Sequence, residues 1–341
     1  MLPTDQAITS AAKPESLTRR EALKLGTASV PLLALALAAR SHAALQKLDR
    51  PVRIGMIADL HQDVMHDGVQ RISAFANAMQ KQTLDAVLQL GDFAYPAEKN
   101  REVIDRFNGS HKKPLHVIGN HDTDSGHTKA ECLEVWGMPS RYYTTDVAGV
   151  QLIVLDGNDS GSPTYKGGYP SYIGEEQLAW LEKQLEELAG PIVVVSHQPL
   201  AGPAAVDNAE QVQQLLSKAA DKVLLAINGH THIDAIREVE HVRYLHVNSA
   251  SYYWMGGDYK HTSYPAEVHE SHPYIEYTCP YREALFSTLV IDPESLTITL
   301  EGSKSEWVGK SPNEMGLKEQ NDLDLTKEVS PTISPRKIER S

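Results

Sequence analysis

From about Pro51 onward the chain alternates short apolar runs with segments whose apolar residues recur at helical spacing. The run 52–58 predicts a strand ending at Asp59, and Val69, Ile72, Phe75, Ala76 and Met79 then form one face of an amphipathic helix over 68–82. Runs 86–90, 115–118, 151–155, 192–195 and 223–227 predict further buried strands. They end at Gly91-Asp92, Gly119-Asn120-His121, Asp156, Ser196-His197 and Asn228-Gly229. Leu178, Leu181, Leu185 and Leu188 give a second helical stripe, closed by the stop signal Gly190-Pro191. Strands are expected over 242–247 and 285–291, the latter pairing with 296–301 across an Asp292-Pro293 turn. Strands alternating with helices define an α/β (α+β) protein.

The pattern fails in three places. The stretch 255–281, rich in Gly, His, Tyr and Pro, reads as a long irregular insertion, of a length uncommon unless functional. Its approach carries Tyr252, Tyr253 and Trp254, which with Tyr259 could stack on a base or cover an apolar leaving group, or simply pack the loop. Beyond 302 the chain turns polar without periodicity, so 303–341 is expected to be a disordered or surface-wrapping tail. At the other end, Arg19-Arg20 precede an uncharged stretch over 25–39 and then Ser41-His42-Ala43, a small-x-small cleavage site. Together these predict a twin-arginine export signal over 1–43. Interrupted by Gly26, Thr27, Ser29 and Pro31, that stretch falls short of the roughly 20 residues a membrane span needs.

The expected mature protein, a single domain over 44–302 plus the tail, therefore works in a bacterial periplasm. Its partner during export is the twin-arginine translocation machinery, and no stable membrane anchor remains after signal removal. Losing five basic and three acidic groups takes the net charge from −13 to about −15. With no basic run in the sequence, this excludes a nucleic-acid polymer as main partner. A small phosphorylated substrate remains compatible, because bound cations invert the local field. The two cysteines, Cys132 and Cys279, leave a disulfide open in an oxidising compartment.

Five apolar runs end in clusters of compatible chemistry: Asp59-Leu60-His61, Gly91-Asp92, Gly119-Asn120-His121-Asp122, Ser196-His197 and Gly229-His230-Thr231-His232. Ligands of open α/β sheets gather at the carboxyl ends of strands, so clusters distant in sequence can meet there. Carboxylate, imidazole and amide oxygen form a donor set suited to Mn, Fe, Zn or Co. Glycines just before the polar residues let the backbone turn sharply and approach an ion closely.

The ordered series D-x-H, G-D, G-N-H-D, S-H, G-H-T-H resembles the calcineurin-like metallophosphoesterase superfamily, in its non-purple branch, over roughly 51–300. The resemblance implies a four-layer αββα sandwich, two mixed sheets face to face with helices outside. It implies two adjacent metal ions, one held by Asp59, His61 and His232, the other by Asn120, His197 and His230, with Asp92 bridging. A water deprotonated between them would attack phosphorus. His121 would protonate the leaving oxygen or stabilise the transition state, and Asp122 would orient His121 or another imidazole, unless it serves as a helix N-terminal acid. Tyr95, in G-D-x-x-Y spacing, keeps a purple-acid-type phosphomonoesterase as the alternative, and a non-catalytic metal- or phosphate-binding protein is the other. The segment from Gly168 to Leu181 resembles one in phosphodiesterase and nucleotide-diphosphatase relatives, favouring a phosphodiester or nucleotide-type substrate.

Overall fold

A computed structural model of the chain describes residues 45, 47–318 and 323–339; the export signal read over 1–43 lies outside them. In chain order come β1 (Val52–Ile57), α1 (Gly68–Met79), β2 (Ala86–Gln89), α2 (Arg101–Asn108), β3 (Pro114–His116) and α3 (Lys129–Trp136). There follow β4 (Tyr143–Val147), β5 (Val150–Val154), α4 (Glu175–Glu187), β6 (Ile192–Val195), α5 (Ala209–Lys218) and β7 (Val223–Asn228). Next are β8 (Ala235–Val239), β9 (Val242–His246), β10 (Tyr252–Trp254), α6 (Ala266–Ser271) and β11 (Thr278–Pro280). The chain closes with β12 (Ser287–Ile291), β13 (Ile298–Leu300), β14 (Ser303–Lys304), β15 (Thr332–Ile333) and β16 (Arg336–Ile338).

Two six-stranded mixed sheets carry the architecture. The first has the order β16-β13-β12-β1-β2-β3, with β1, β2 and β3 parallel and the other pairings antiparallel. The second has the order β4-β5-β6-β7-β9-β8; its middle strands run parallel and its two edge pairings are antiparallel.

Alternation along single strands explains the layering. In β6, Val193 and Val195 join the core shared with β1 and β2, while Ile192 and Val194 pack with α4 and α5. β5 and β7 divide in the same way, Leu152, Val154, Leu225 and Ile227 against Ile153 and Ala226. Strands buried on both faces read as continuous apolar runs, which is why 192–195 is IVVV. On the first sheet α1 and α2 supply Ile72, Phe75, Ile104 and Phe107, with the Phe75 and Phe107 rings stacked at 5.8 Å. No described helix is long and apolar enough to cross a membrane.

Two segments carry more order than their composition suggests. Within 255–281, α6 forms and β11 returns to pair antiparallel with β10. Beyond 302, β14 pairs with β15 and β16 extends the first sheet along β13. The described part of the tail is thus the surface-wrapping form, not a disordered one. Its strands are two or three residues long, too short to show a period. Polar contacts fix them: Arg336 pairs with buried Asp234, and the Asn248 amide donates to the carbonyls of Ser330 and Thr332. Cys132 and Cys279 are each buried and free, so no disulfide joins them.

Candidate metal centre

Five strand ends deliver the site. β1 leads to Asp59 and His61, β2 to Asp92, β3 to Asn120 and His121, β6 to His197, and β7 to His230 and His232. The backbone there is strained: Asp59, His61, Asp92, His230 and His232 all have φ between +48° and +66°. Non-glycine residues rarely occupy this left-handed region, at about 1–2 kcal/mol each, and such positions cluster at functional sites. Cross-strand bonds hold them, from Asp59 N–H to Gly91 O at 3.1 Å and from His61 N–H to Asp92 O at 2.9 Å. Ser249 and Ser251 tie down the same turn by donating to the carbonyls of Asp59 and Leu60.

Close approach explains the glycines. At Gly91, with φ +92°, a Cβ would lie 2.4 Å from His197 Nδ1; at Gly119 one would lie 2.2 Å from Asp92 Oδ1. Either substitution would displace a candidate ligand.

The predicted residues form two three-sided groups, Asp59, His61 and His232 in one, Asp92, His197 and His230 in the other. In the first, His61 Nε2 and His232 Nε2 are 3.2 Å apart, and Asp59 Oδ1 lies 3.3 Å from His232 Nε2. In the second, His197 Nε2 lies 3.2 Å from His230 Nδ1, 3.2 Å from Asp92 Oδ2 and 3.1 Å from Asn120 Oδ1. Asp92 Oδ2 is also 3.7 Å from His61 Nε2, so one carboxylate oxygen stands between the groups.

These residues fit two cations. His232 and His197 place Nδ1 at 2.8 Å from the carbonyls of Tyr252 and Leu90, which accept its proton. An unprotonated Nε2 on either ring would turn its lone pair inward, toward the oxygens of Asp59, Asp92 and Asn120. The backbone N–H groups of His230 and His121 donate to Asp59 and to Asp92 Oδ1, and the oxygens and imidazole nitrogens converging there still call for positive charge between them. At the second group a proton can supply it: burial opposes charging His197, but Asp92 and Asp59 outweigh burial and push it up to about 9. At the first, burial holds His61 well below its ordinary value, so protonation of that ring does not. Burial would likewise raise Asp92, yet His197, His121 and His61 keep it well below the usual carboxylate range.

His121 stands at the open side, with its ring 5.4 Å from that of His61 and its backbone N–H donating to Asp92 Oδ1 at 2.8 Å. The carboxylate beside its imidazole is not Asp122 but Asp124, 2.8 Å from Nδ1. Asp122 instead turns inward and accepts the backbone N–H groups of Gly119, Asp92, Phe93 and Ala94 at 2.7–3.1 Å. Its role is to fix the Asp92 loop. The half-exposed Tyr169 donates its hydroxyl to Asp124 at 2.8 Å and lies 3.1 Å from His121 Nδ1.

Other polar residues have partners of their own, although Asp63 and Tyr95 line a small cavity with His61, Asp92 and His121. Asp67 occupies the N-cap position of α1 without capping it, its carboxylate taking Arg71 Nε at 2.7 Å. His66 packs against Tyr264 at 4.5 Å, and Asp63 holds the Tyr95 amide and the Asn100 side chain. His246 is buried behind the β7 turn, bonded to Asn228 and Thr231. Tyr95 lies against His127 at 5.6 Å; Tyr143 is buried, its hydroxyl donating to the His116 carbonyl.

A two-sheet sandwich whose strand ends converge on paired carboxylate–imidazole groups frames a candidate two-metal centre. The chain belongs to the calcineurin-like phosphoesterase family, whose model matches residues 52–234. Among solved structures it is similar to a dimetal phosphatase from Danio rerio, at 14% identity and TM-score 0.53, covering 86% of this chain and 100% of that one. It is also similar to GAP50, the anchor in the inner membrane complex of Plasmodium, at 16% identity and TM-score 0.51, covering 86% and 90%. The comparison with curated proteins gives no match.

Proposed function

We propose that this chain hydrolyses phosphoester bonds of small substrates, phosphodiesters foremost, at a two-metal centre. The observation that carries the reading is the convergence of the two ligand groups on Asp92 with His121 beside them. The fold alone would not decide it, since a protein described as an anchor shares that fold.

Two bound ions would supply Lewis-acid polarisation of a phosphoryl oxygen and an activated water. Asp59, His61 and His232 would hold one, Asn120, His197 and His230 the other, with Asp92 shared. Asp124 anchors His121 through Nδ1, leaving Nε2 to face the substrate and pass a proton to the departing alkoxide. Asp122 keeps the Asp92 loop in place through four amides. Tyr169 braces the His121–Asp124 pair, and the preference for diesters rests on the resemblance of the segment from Gly168 to Leu181.

The test is metal analysis of the mature protein combined with turnover of bis(p-nitrophenyl) phosphate and p-nitrophenyl phosphate. Hydrolysis of the diester above the monoester is expected; hydrolysis of neither with Mn, Zn, Fe or Co added would sink the reading. We further propose export by the twin-arginine route to the periplasm. The expected mature N-terminus is Ala44, and a periplasmic fraction beginning at Met1 would contradict it.

A further inference from the structure

Beside the two ligand groups lies a cleft of about 490 Å³ that runs from His61, Asp92 and His121 toward β10. The rest of its wall is apolar and aromatic: Tyr252, packed on His61 and His232 at 4.9 and 5.0 Å, then Ile233, Trp254, Met255, Pro203 and Leu323. Among the described residues no lysine or arginine lines it, and its one carboxylate is Asp92.

Exposure singles out the same region. Among the described residues the large apolar side chains that remain exposed are Tyr165, Tyr169, Trp254 and Tyr274, and of these Trp254 lines the cleft. Trp254 lines the cleft and stacks on Tyr277 at 5.5 Å with the planes 15° apart. Tyr274 lies 6.2 Å from Tyr277, and Tyr169 touches His121. Lys260 lies 4.4 Å over the outer side of the Tyr277 ring and is paired with Glu276, so its charge is already matched. An indole fixed from behind and open in front is a platform for a flat ring.

We infer that this cleft is an ester-group subsite for an uncharged aromatic or apolar alcohol, joined to a single phosphate held at the metal centre. This rests on the phosphoesterase reading and names its substrate class. A second phosphate, as in a nucleoside diphosphate, would meet apolar side chains where it needs fixed cationic donors. A neutral ring would stack on Trp254, the exposed member of that wall, and displace water from its indole.

The experiment compares two diesters with the same leaving group, methyl p-nitrophenyl phosphate and phenyl p-nitrophenyl phosphate, on the metal-loaded protein. The phenyl ester should have the higher kcat/KM. Trp254→Ala should lower kcat/KM for the phenyl ester about tenfold more than for the methyl ester, and Trp254→Phe should recover most of that difference. Phenyl phosphate should quench indole emission of the wild type more than inorganic phosphate does, a binding readout independent of turnover. Equal losses on both esters, absence of the quench, or better use of ADP than of the phenyl ester would overturn the subsite. Turnover of neither ester would count against the phosphoesterase reading, while the quench would still report on the cleft.

Discussion

Asp124 Oδ2 and His121 Nδ1 are 2.8 Å apart across three residues of one turn, and the Tyr169 hydroxyl closes the pair from a second loop. The imidazole is thus held on one nitrogen, with its ring 5.4 Å from that of the candidate ligand His61. This geometry separates proton transfer from metal binding, because neither Asp124 nor Tyr169 belongs to a ligand group.

His121→Ala should therefore lower kcat by about 10²–10⁴-fold, the range for loss of a general acid, with metal content unchanged. Asp124→Asn keeps a hydrogen-bonding group beside Nδ1 and should cost less, about tenfold, mostly in kcat. Steady-state kinetics together with elemental analysis decides. Release of the metals by His121→Ala would place that side chain among the ligands.

Asp92→Asn should behave differently. Its Oδ2 stands between His197 at 3.2 Å and His61 at 3.7 Å, so neutralising it removes charge from both groups at once. Activity and metal stoichiometry should fall together. Chelation of the wild type should lower Tm, since a ligand bound only by the folded state stabilises it by mass action. An Asp92→Asn protein that keeps two ions per chain would show that the carboxylate is not shared.

Strand ends were legible in the sequence because apolar runs stop abruptly at Asp59, Asp92, Asn120, His197 and His230, a contrast independent of tertiary detail. The partner of His121 was not. Adjacency favours Asp122, but neighbouring side chains on a turn point in different directions, and burial sends Asp122 to the amides of the Asp92 loop. Tyr169 follows Gly167 and Gly168, both at positive φ, in a segment with no period to place it. The short helices α2 and α3, eight residues each, span too few turns to repeat a stripe.

His116 ties stability to pH. Buried between Gln89 and Asn108 and stacked on Trp136 at 5.5 Å, it is lowered from 6.5 to about 3 by burial. Between those two values the unfolded chain binds a proton that the folded chain does not, so stability rises with pH through this window. Acidifying the chelated protein from pH 7 to pH 5 should cost about 2 kcal/mol through this group alone. His116→Gln, which can keep both hydrogen bonds, should flatten that slope in urea titrations; an unchanged slope would assign it to other groups.

The last prediction concerns the C-terminal segment. Asp234 follows the β7 turn almost directly after His232, is buried, and accepts the guanidinium of Arg336 and the Ser334 N–H at 2.9 Å. The pair therefore clamps β16 onto the molecule next to a candidate ligand. Removing one member of a buried pair leaves the other charge uncompensated, at about 3–5 kcal/mol. Arg336→Met should destabilise by that order, while Asp234→Asn with Arg336→Met should recover part of the loss. Because Asp234 sits two residues from His232, the single variant should also weaken the first ligand group more than the second. Differential scanning calorimetry and a metal titration check both halves: a variant with wild-type Tm would show that β16 contributes little, and equal weakening of both ions would remove the link from Asp234 to the His232 side.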